Sequence, residues 1–306
     1  MKTADKLAKI PPYLFMELRK KINKAKAEGI DVISLAIGDP VEATPDSIID
    51  ELCATSRDPL NHRYPTDEEK GMLAYRREIA KWYETRFGVT LNPENEILGL
   101  IGSKEGCHHF IIARVNPDDI VLMTDPGYPA YRSSILLGGG VPYNVPILPQ
   151  NNYLPVFEDI PTDIAKKATA MFLNYPNNPT GACATLEFLD KLVEFARTYD
   201  IAVCYDNPYS EIVFSGQKRI SFLMAKGAKD VGIELNSLSK PFNMCGWRLG
   251  MACGNPELIA AISKVKENTD SGIFNPIQFA GIKALQNEAP FVDKMIELYG
   301  KRRELV

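Results

Sequence analysis

Long apolar segments are missing from this 306-residue sequence. No apolar run approaches the roughly 20 residues that a helix needs to cross a bilayer. The N-terminus, Met1-Lys-Thr-Ala-Asp-Lys6, also lacks the apolar core of a secretory signal peptide. We therefore expect no membrane partner and a cytoplasmic location.

The sequence also lacks an excess of positive charge. Its formal net charge is −4, with both signs mixed along the chain and no basic stripe or arm. Proteins that bind the phosphate backbone of nucleic acids concentrate Lys and Arg on one face. The composition therefore gives no support for a nucleic-acid partner.

Cysteine pairs typical of metal or redox sites are absent as well. The six cysteines are scattered, and none forms Cys-x-x-Cys. The run Cys107-His108-His109 places three possible ligands together, but adjacent residues of a helix point in different directions. We therefore predict no metal site, and we expect the cysteines to be small buried residues in a reducing compartment.

What the sequence does contain is an alternation of short apolar runs with amphipathic segments. The runs predict strands, and the segments with apolar residues at helical spacing predict helices between them. Such an alternation argues for an α/β fold with a mostly parallel sheet covered on both faces. The predicted strands are 31–38, 97–101, 119–124, 141–145, 169–173, 201–205, 231–235 and 248–253.

Polar loops follow five of these strands. In mostly parallel sheets ligands bind at the carboxyl ends of the strands, so the five loops are expected at one site. The first of them enters a helix, whose free N–H groups suit a phosphate. The loops carry Gly102-Ser103-Lys104, Tyr128, Asn178, Asp206 and Ser237–Lys240.

The stretch from Ser237 to Arg248 has the strongest chemical pattern. Hydroxyls and a guanidinium together suit a phosphate, and the amine of Lys240 could form a Schiff base with a carbonyl cofactor. An alternative comes from another class, because Ser237-Leu-Ser-Lys240 matches the Ser-x-x-Lys of penicillin-binding proteins and β-lactamases. Their Ser-Asp-Asn and Lys-Thr-Gly strings do not occur here.

Three motifs make the chain similar to the fold-type I aminotransferases that use pyridoxal 5′-phosphate (PLP), the class I/II or aspartate aminotransferase superfamily. The resemblance covers nearly the whole chain in order, and it is greatest to the LL-diaminopimelate aminotransferase-like branch. The motifs are Ile101-Gly-Ser-Lys-Glu-Gly106, Asn174-Tyr-Pro-Asn-Asn-Pro-Thr-Gly181 and Ser237-Leu-Ser-Lys-Pro-Phe-Asn-Met-Cys-Gly-Trp-Arg-Leu-Gly250.

The resemblance implies a three-layer α/β/α sandwich with a mostly parallel mixed sheet, plus an incomplete small domain. Residues 1–45 would form an N-terminal arm and part of the small domain, and residues 46–290 the PLP-binding large domain. Residues 291–306 would begin a C-terminal small domain that we expect to be truncated, because members of the family usually continue beyond the position of Val306.

The resemblance also implies catalytic roles. Lys240 would carry the cofactor as a Schiff base and then move the substrate's Cα proton. Asp206 would pair with the pyridine nitrogen and keep it protonated. Tyr209 and Asn178 would hydrogen-bond the phenolic oxygen of the cofactor, and Tyr128 would stack on its ring.

The remaining site residues follow from the same resemblance. The cofactor phosphate would be held by Gly102, Ser103, Lys104, Ser237 and Arg248, together with Tyr64 of a partner subunit. The substrate would contact Gly38, Tyr13, Asn178 and, across a homodimer interface, Asn275.

Two departures from the family pattern stand out. Tyr64 and Gly71 are separated by about two residues more than usual, through Asp67-Glu-Glu-Lys70. In addition, no residue of this chain can be assigned to the arginine that clamps the substrate α-carboxylate in the family.

The leading hypothesis is a PLP-dependent aminotransferase that moves an amino group from an L-amino acid to a 2-oxo acid. The branch suggests diaminopimelate or a related dicarboxylic amino acid as the substrate. Three alternatives stay open at this point: a PLP-dependent C–S lyase or another fold-type I enzyme, a non-catalytic PLP-binding protein, and the Ser-x-x-Lys acyl hydrolase.

Overall fold

The computed structural model describes residues 1–65, 70–214 and 216–306. In these ranges seven strands form one sheet. The strands are β1 (Ile97–Leu100), β2 (Ile120–Asp125), β3 (Val141–Pro146), β4 (Ala168–Asn174), β5 (Ala202–Asp206), β6 (Gly232–Ser237) and β7 (Gly250–Gly254). Their spatial order is β1-β7-β6-β5-β4-β2-β3.

Helices fill the connections between the strands. Two helix ends show why the helices begin and end where they do. The Thr185 side chain accepts the Phe188 N–H at the start of one helix, and Gly88 ends another with a left-handed φ of 67°. The helices are α1 (Leu14–Ala27), α2 (Asp46–Thr55), α3 (Leu73–Phe87), α4 (Ser103–Arg114), α5 (Ala130–Gly138), α6 (Thr162–Ala165), α7 (Leu186–Tyr199), α8 (Ala228–Val231), α9 (Pro256–Glu267), α10 (Asn275–Asn287) and α11 (Ala289–Leu305).

The strand directions bring the polar loops to one edge. Strands β2 to β6 run parallel, whereas β7 is antiparallel to both β6 and β1. The carboxyl ends of β1, β2, β4, β5 and β6 therefore share an edge with the beginning of β7. The predicted mostly parallel mixed sheet is confirmed.

Both faces of the sheet are covered. Successive side chains of a strand point to opposite faces, so Val203 and Tyr205 of β5 join one core cluster while Ala202 and Cys204 join the other. Helices α2, α3, α7 and α10 contribute to the first cluster, and α4, α5 and α9 to the second. Each large apolar side chain buried in this way contributes about 1.5–3 kcal/mol. The predicted three-layer arrangement is confirmed.

The strand predicted at residues 31–38 is wrong. The segment has no regular secondary structure, and Ile33 and Leu35 are 87% and 77% exposed. An apolar, β-branched run favours an extended backbone, but a strand forms only where a neighbouring strand supplies hydrogen bonds. The end of this segment instead contacts the loop after β6, where Lys240 Nζ donates to the Gly38 carbonyl and Asn243 Nδ2 donates to the Glu42 carbonyl.

The other strand predictions are confirmed within a few residues, with one informative difference. The last strand begins at Gly250 rather than at Arg248, because Arg248 has a left-handed φ of 58° that ends the preceding loop. The insertion predicted near Asp67 lies outside the described residues, apart from Lys70. In the described ranges no helix is both long and apolar enough to span a bilayer.

Candidate active site

A cleft of about 710 Å³ opens at the carboxyl edge of the sheet. It collects side chains from the polar loops and from the N-terminal segment. The predicted site residues that line it are Tyr13, Gly38, Ser103, Lys104, Tyr128, Asn178, Asp206, Tyr209, Ser237, Lys240 and Arg248. Gly102 lies directly against the Arg248 guanidinium at the margin of the cleft.

Lys240 enters the cleft from the loop after β6. Its Nζ donates to the Gly38 carbonyl oxygen at 2.6 Å and lies 3.5 Å from Cys245 Sγ. The cleft therefore has a primary amine held between the N-terminal segment and the loop after β6. Such an amine can act as a nucleophile toward a carbonyl group and as a carrier of protons.

Asp206, at the end of β5, is a buried carboxyl group with one free oxygen. The Tyr131 hydroxyl donates to Oδ2 at 2.8 Å, and Asn174 Nδ2 donates to the Asp206 carbonyl at 2.7 Å. Oδ1 is buried without a hydrogen-bond partner among the described residues. Burial raises the pKa of Asp206 to about 6, although the side chains of Tyr131 and Ser103 oppose this rise. A buried oxygen of this kind suits a donor or cation supplied by a ligand.

The turn between β1 and α4 forms a cradle for an anion. Gly102 has a φ of 100°, and a Cβ atom there would collide with Arg248 Nη2. Helix α4 begins at Ser103 without a side-chain cap, so N–H groups of its first turn have no side-chain acceptor from the cap. The hydroxyl of Ser237 and the guanidinium of Arg248 border the same part of the cleft. Helix N–H groups, a hydroxyl and a guanidinium form a typical phosphate site.

Aromatic and amide groups line the middle of the cleft. Asn178 Nδ2 lies 3.5 Å from the Tyr209 hydroxyl. Burial raises the pKa of Tyr209 to about 12, so its hydroxyl stays protonated and can donate a hydrogen bond. Tyr128 meets Tyr131 edge-on at 5.6 Å, and Lys104 Nζ lies 4.8 Å from the centre of the Tyr13 ring.

These groups fit pyridoxal 5′-phosphate. The unpartnered oxygen of Asp206 suits a protonated ring nitrogen, and the cradle at Gly102 suits the phosphate. Lys240 offers the amine that an aldehyde needs. The donor set therefore matches three separate features of one cofactor.

The acyl hydrolase alternative does not fit the geometry. Ser237 Oγ lies 2.9 Å from Ser239 Oγ and 3.3 Å from the Leu249 carbonyl oxygen, so its one hydroxyl hydrogen is directed to one of these two acceptors. Lys240 Nζ is bonded instead to Gly38 and Cys245. A serine nucleophile needs a base within hydrogen-bond reach, and among the contacts of these described residues Lys240 is not that base for Ser237.

Two predicted site residues lie elsewhere. Tyr64 is 74% exposed and borders a second cleft together with Phe274, whose ring lies 5.8 Å from that of His62. Asn275 begins α10 next to Phe274, with Oδ1 3.4 Å from Gln278 Nε2. The structure does not bring Tyr64 and Asn275 to the main cleft of their own chain. Their assignment to a partner's site stays a prediction.

The sequence analysis did not assign roles to several residues of the site. Tyr131, Asn174 and Cys245 contact predicted site residues directly, and Phe15 and Arg19 of α1 also line the cleft. Tyr131 lies in the first turn of α5, three residues after Tyr128, and nothing in that spacing shows that its hydroxyl reaches Asp206.

The Cys107-His108-His109 run does not form a metal centre. In residues 1–65, 70–214 and 216–306, no three His, Cys, Asp or Glu side chains come close enough to hold a metal ion.

The family model for aminotransferase class I and II matches residues 30–306 of the chain. The chain is 51% identical to the LL-diaminopimelate aminotransferase of Halothermothrix orenii, over 100% of this chain and 78% of that protein. It is 49% identical to the LL-diaminopimelate aminotransferase of Moorella thermoacetica, with the same coverage.

Solved structures agree with this match. Substrate-bound BacF of Bacillus subtilis superposes with a TM-score of 0.93 at 36% identity, covering 99% of this chain and 76% of that one. An aspartate aminotransferase variant of Thermus thermophilus superposes with a TM-score of 0.92 at 25% identity, covering 100% of this chain and 79% of that one.

Proposed function

The chain belongs to the class I and II aminotransferase family, whose members depend on pyridoxal phosphate, and we propose that it acts on LL-diaminopimelate with a 2-oxo acid as the other substrate. The single observation that carries this proposal is the 51% identity, over the whole chain, to an LL-diaminopimelate aminotransferase. The cleft also contains the amine, the carboxylate and the anion cradle, which supports an aminotransferase over a protein that shares only the fold.

Bound pyridoxal phosphate supplies a carbonyl carbon that takes up the amino group and a ring that withdraws electrons from the substrate's Cα. Lys240 is the residue that we assign to covalent attachment and to moving the Cα proton. Its Nζ and the Gly38 carbonyl to which it donates both line the cleft, where a bound carbonyl group would meet the amine. Asp206 Oδ1 is assigned to holding a proton on the ring nitrogen, since a cation next to a buried carboxylate stabilises its ionised form.

The other assignments concern binding. Ser103, Lys104, Ser237, Arg248 and the backbone at Gly102 are assigned to the phosphate. These positions are supported by their convergence at the N-terminus of α4.

The middle of the cleft is assigned to the ring and the substrate. Tyr209 and Asn178 are assigned to the phenolic oxygen, because their polar groups lie together at 3.5 Å. Tyr128 is assigned to the ring face, and Tyr13 and Gly38 to the substrate.

We also propose a cytoplasmic homodimer in which each subunit completes the other's site. Tyr64 and Asn275 support this proposal, because both lie outside their own cleft and at or near a second one. The division into an N-terminal arm at 1–45, a large domain at 46–290 and a partial small domain at 291–306 is part of the same proposal.

Covalent attachment of the cofactor tests the assignment of Lys240. The protein loaded with pyridoxal phosphate should absorb in the near-visible region, and borohydride trapping with peptide mass mapping should place the cofactor mass on Lys240. Lys240→Ala should lose both signals. Lys104→Ala is the matched control, since it removes another lysine of the same cleft and should keep the trapped mass on Lys240. A trapped mass on a different lysine would contradict the assignment.

The substrate is tested separately. The protein should form glutamate from LL-diaminopimelate and 2-oxoglutarate faster than from a panel of other L-amino acids. A higher rate with another amino acid would refute the substrate but not the reaction. Release of a thiol from a sulfur-containing amino acid without glutamate formation would refute the reaction.

A further inference from the structure

Behind the anion cradle lies a buried network of charges that none of the roles above uses. Lys266, near the end of α9, is completely buried. Its Nζ lies 2.8 Å from Glu105 Oε1 and 2.9 Å from each carboxylate oxygen of Asp270. The two carboxylates come from different parts of the chain, so this ammonium joins two segments.

Glu105 connects the network to the cradle. Its second oxygen, Oε2, accepts the backbone N–H of Ile101, at the beginning of the turn. Its own backbone N–H donates to the Gly102 carbonyl at 3.2 Å. The carboxylate thus ties the first residue of the turn to the first turn of α4, with Gly102 and Ser103 enclosed between them.

Asp270 connects the network to the surface that carries Asn275. Its Oδ1 accepts the Gly272 N–H at 2.8 Å, in the segment between α9 and α10. Gly272 has a left-handed φ of 91°, so the chain turns sharply there toward the second cleft. His109 Nδ1 lies 3.4 Å from Glu105 Oε1, but burial holds its pKa near 4 and it adds no charge to the network at neutral pH.

We propose that Lys266 is a positioning residue, which holds the phosphate-binding turn 101–105 of its own site in register with the 270–275 segment. This inference rests on the proposed function, because it takes the turn to be the phosphate site. A buried ammonium with two carboxyl partners has a defined geometry. Burial raises the pKa of Glu105 to about 7 although Lys266 opposes the rise, so loss of the ammonium favours a protonated Glu105 that no longer has its ionic partner. The turn would then lose the contact that orients Gly102 and Ser103.

The test compares two forms of the cofactor. Protein freed of cofactor is titrated with pyridoxal 5′-phosphate and with pyridoxal, which lacks the phosphate. In Lys266→Met we expect the affinity for pyridoxal phosphate to fall by roughly tenfold or more, because small misplacements of binding groups are costly. The affinity for pyridoxal should stay at the wild-type value. Equal losses for both compounds, or no loss for either, would overturn the proposal.

Two further variants separate positioning from general loss of stability. Lys266→Met/Glu105→Gln removes the ammonium together with the ionisable group that it contacts, so titration of Glu105 cannot contribute, and it should show the same selective loss. Glu234→Gln is the matched control, since Glu234 is a fully buried carboxyl group bonded to Tyr83 and Ser221, away from the cradle. It should leave the affinities for both compounds unchanged, and a selective loss in this control would count against the proposal.

Hydrogen exchange gives a readout that needs no cofactor. The amides of Ile101 and Gly272 should exchange faster in Lys266→Met than in the wild type, because both are bonded to carboxylates that Lys266 holds. Unchanged exchange at both amides would overturn the proposal. Failure of the wild type to bind pyridoxal phosphate would instead refute the proposed function on which the inference rests.

Discussion

The Tyr131 hydroxyl donates a hydrogen bond of 2.8 Å to one oxygen of Asp206 and leaves the other oxygen free. Burial of the carboxyl group raises its pKa to about 6, because the loss of hydration outweighs the opposing interactions with the side chains of Tyr131 and Ser103. A carboxylate in this state is poorly satisfied in the protein alone. It is therefore well suited to a cation that arrives with a ligand.

The first prediction concerns stability without cofactor. Between pH 3.8 and about 6 the unfolded chain loses the Asp206 proton while the folded protein keeps it, so the free energy of unfolding falls as the pH rises. Above about pH 6 both states are ionised, and the free energy of unfolding stays lower by a constant amount of about 3 kcal/mol. Asp206→Asn has no such titrating group, so the free energy of unfolding of this variant minus that of the wild type should increase as the pH rises from 3.8 to about 6. Denaturant unfolding at several pH values measures this difference, and a pH-independent difference would contradict it.

The second prediction concerns the rate of the reaction. Asp206→Asn should still bind pyridoxal phosphate but should lower kcat by roughly 10²–10³-fold, or about 3–4 kcal/mol, as other deletions of a preorganised charge do. Steady-state kinetics with a spectroscopic check of cofactor loading measures the effect. Tyr131→Phe is the comparison variant. It leaves the Asp206 carboxylate in place, so it should lower kcat less than Asp206→Asn does. Near-normal turnover in Asp206→Asn would contradict the role given to this residue.

The third prediction concerns the cradle at Gly102. In Gly102→Ala the new methyl group would displace Arg248, and alanine is strained at a φ of 100°. We expect weaker binding of pyridoxal phosphate, measured by titration, and a loss of about 1 kcal/mol in stability. Gly38→Ala is the matched control in the same cleft, because its methyl group would meet no atom within 4 Å. Equal cofactor affinities in the two variants would contradict the cradle.

The fourth prediction concerns the second cleft. Lys240→Ala and Tyr64→Ala should each lose activity, and a mixture of the two proteins after subunit exchange should regain up to about a quarter of it. A mixed dimer has one site that combines Lys240 of one subunit with Tyr64 of the other, as expected for a symmetric interface. The recovery is measured by glutamate formation. No recovery, in a mixture that light scattering shows to exchange subunits, would place Tyr64 outside the site.

Local patterns were sufficient for most of the sheet and for the residues that line the cleft. The polar loops at Tyr128, Asn178 and Asp206 follow strands that are recognisable from apolar runs, and strand direction then brings the loops together. The motif around Lys240 added the amine and the guanidinium. Each of these inferences needed only neighbouring residues and one rule about parallel sheets.

The missed features depend on partners distant in sequence. Residues 31–38 have the composition of a strand, but no pattern within them shows whether a neighbouring strand is present. Lys266 looks like a surface residue of an amphipathic helix, and its burial depends on Glu105, 161 residues away. Tyr131 lies on a helix whose rotation relative to β5 is decided by packing in the second core cluster.

The reversed direction of β7 has a consequence for which cofactor lengths the cleft can accept. Because β6 ends at Ser237 and β7 begins at Gly250, a single short excursion of the chain carries both Lys240 and Arg248. On the proposed roles, residues 238–249 hold both the carbonyl carbon of the cofactor, through Lys240, and its phosphate, through Arg248. An analogue with one extra carbon between the ring and the phosphate could not place both groups against Lys240 and Arg248. A substitution that restores its binding is therefore expected in residues 238–249 rather than in the sheet.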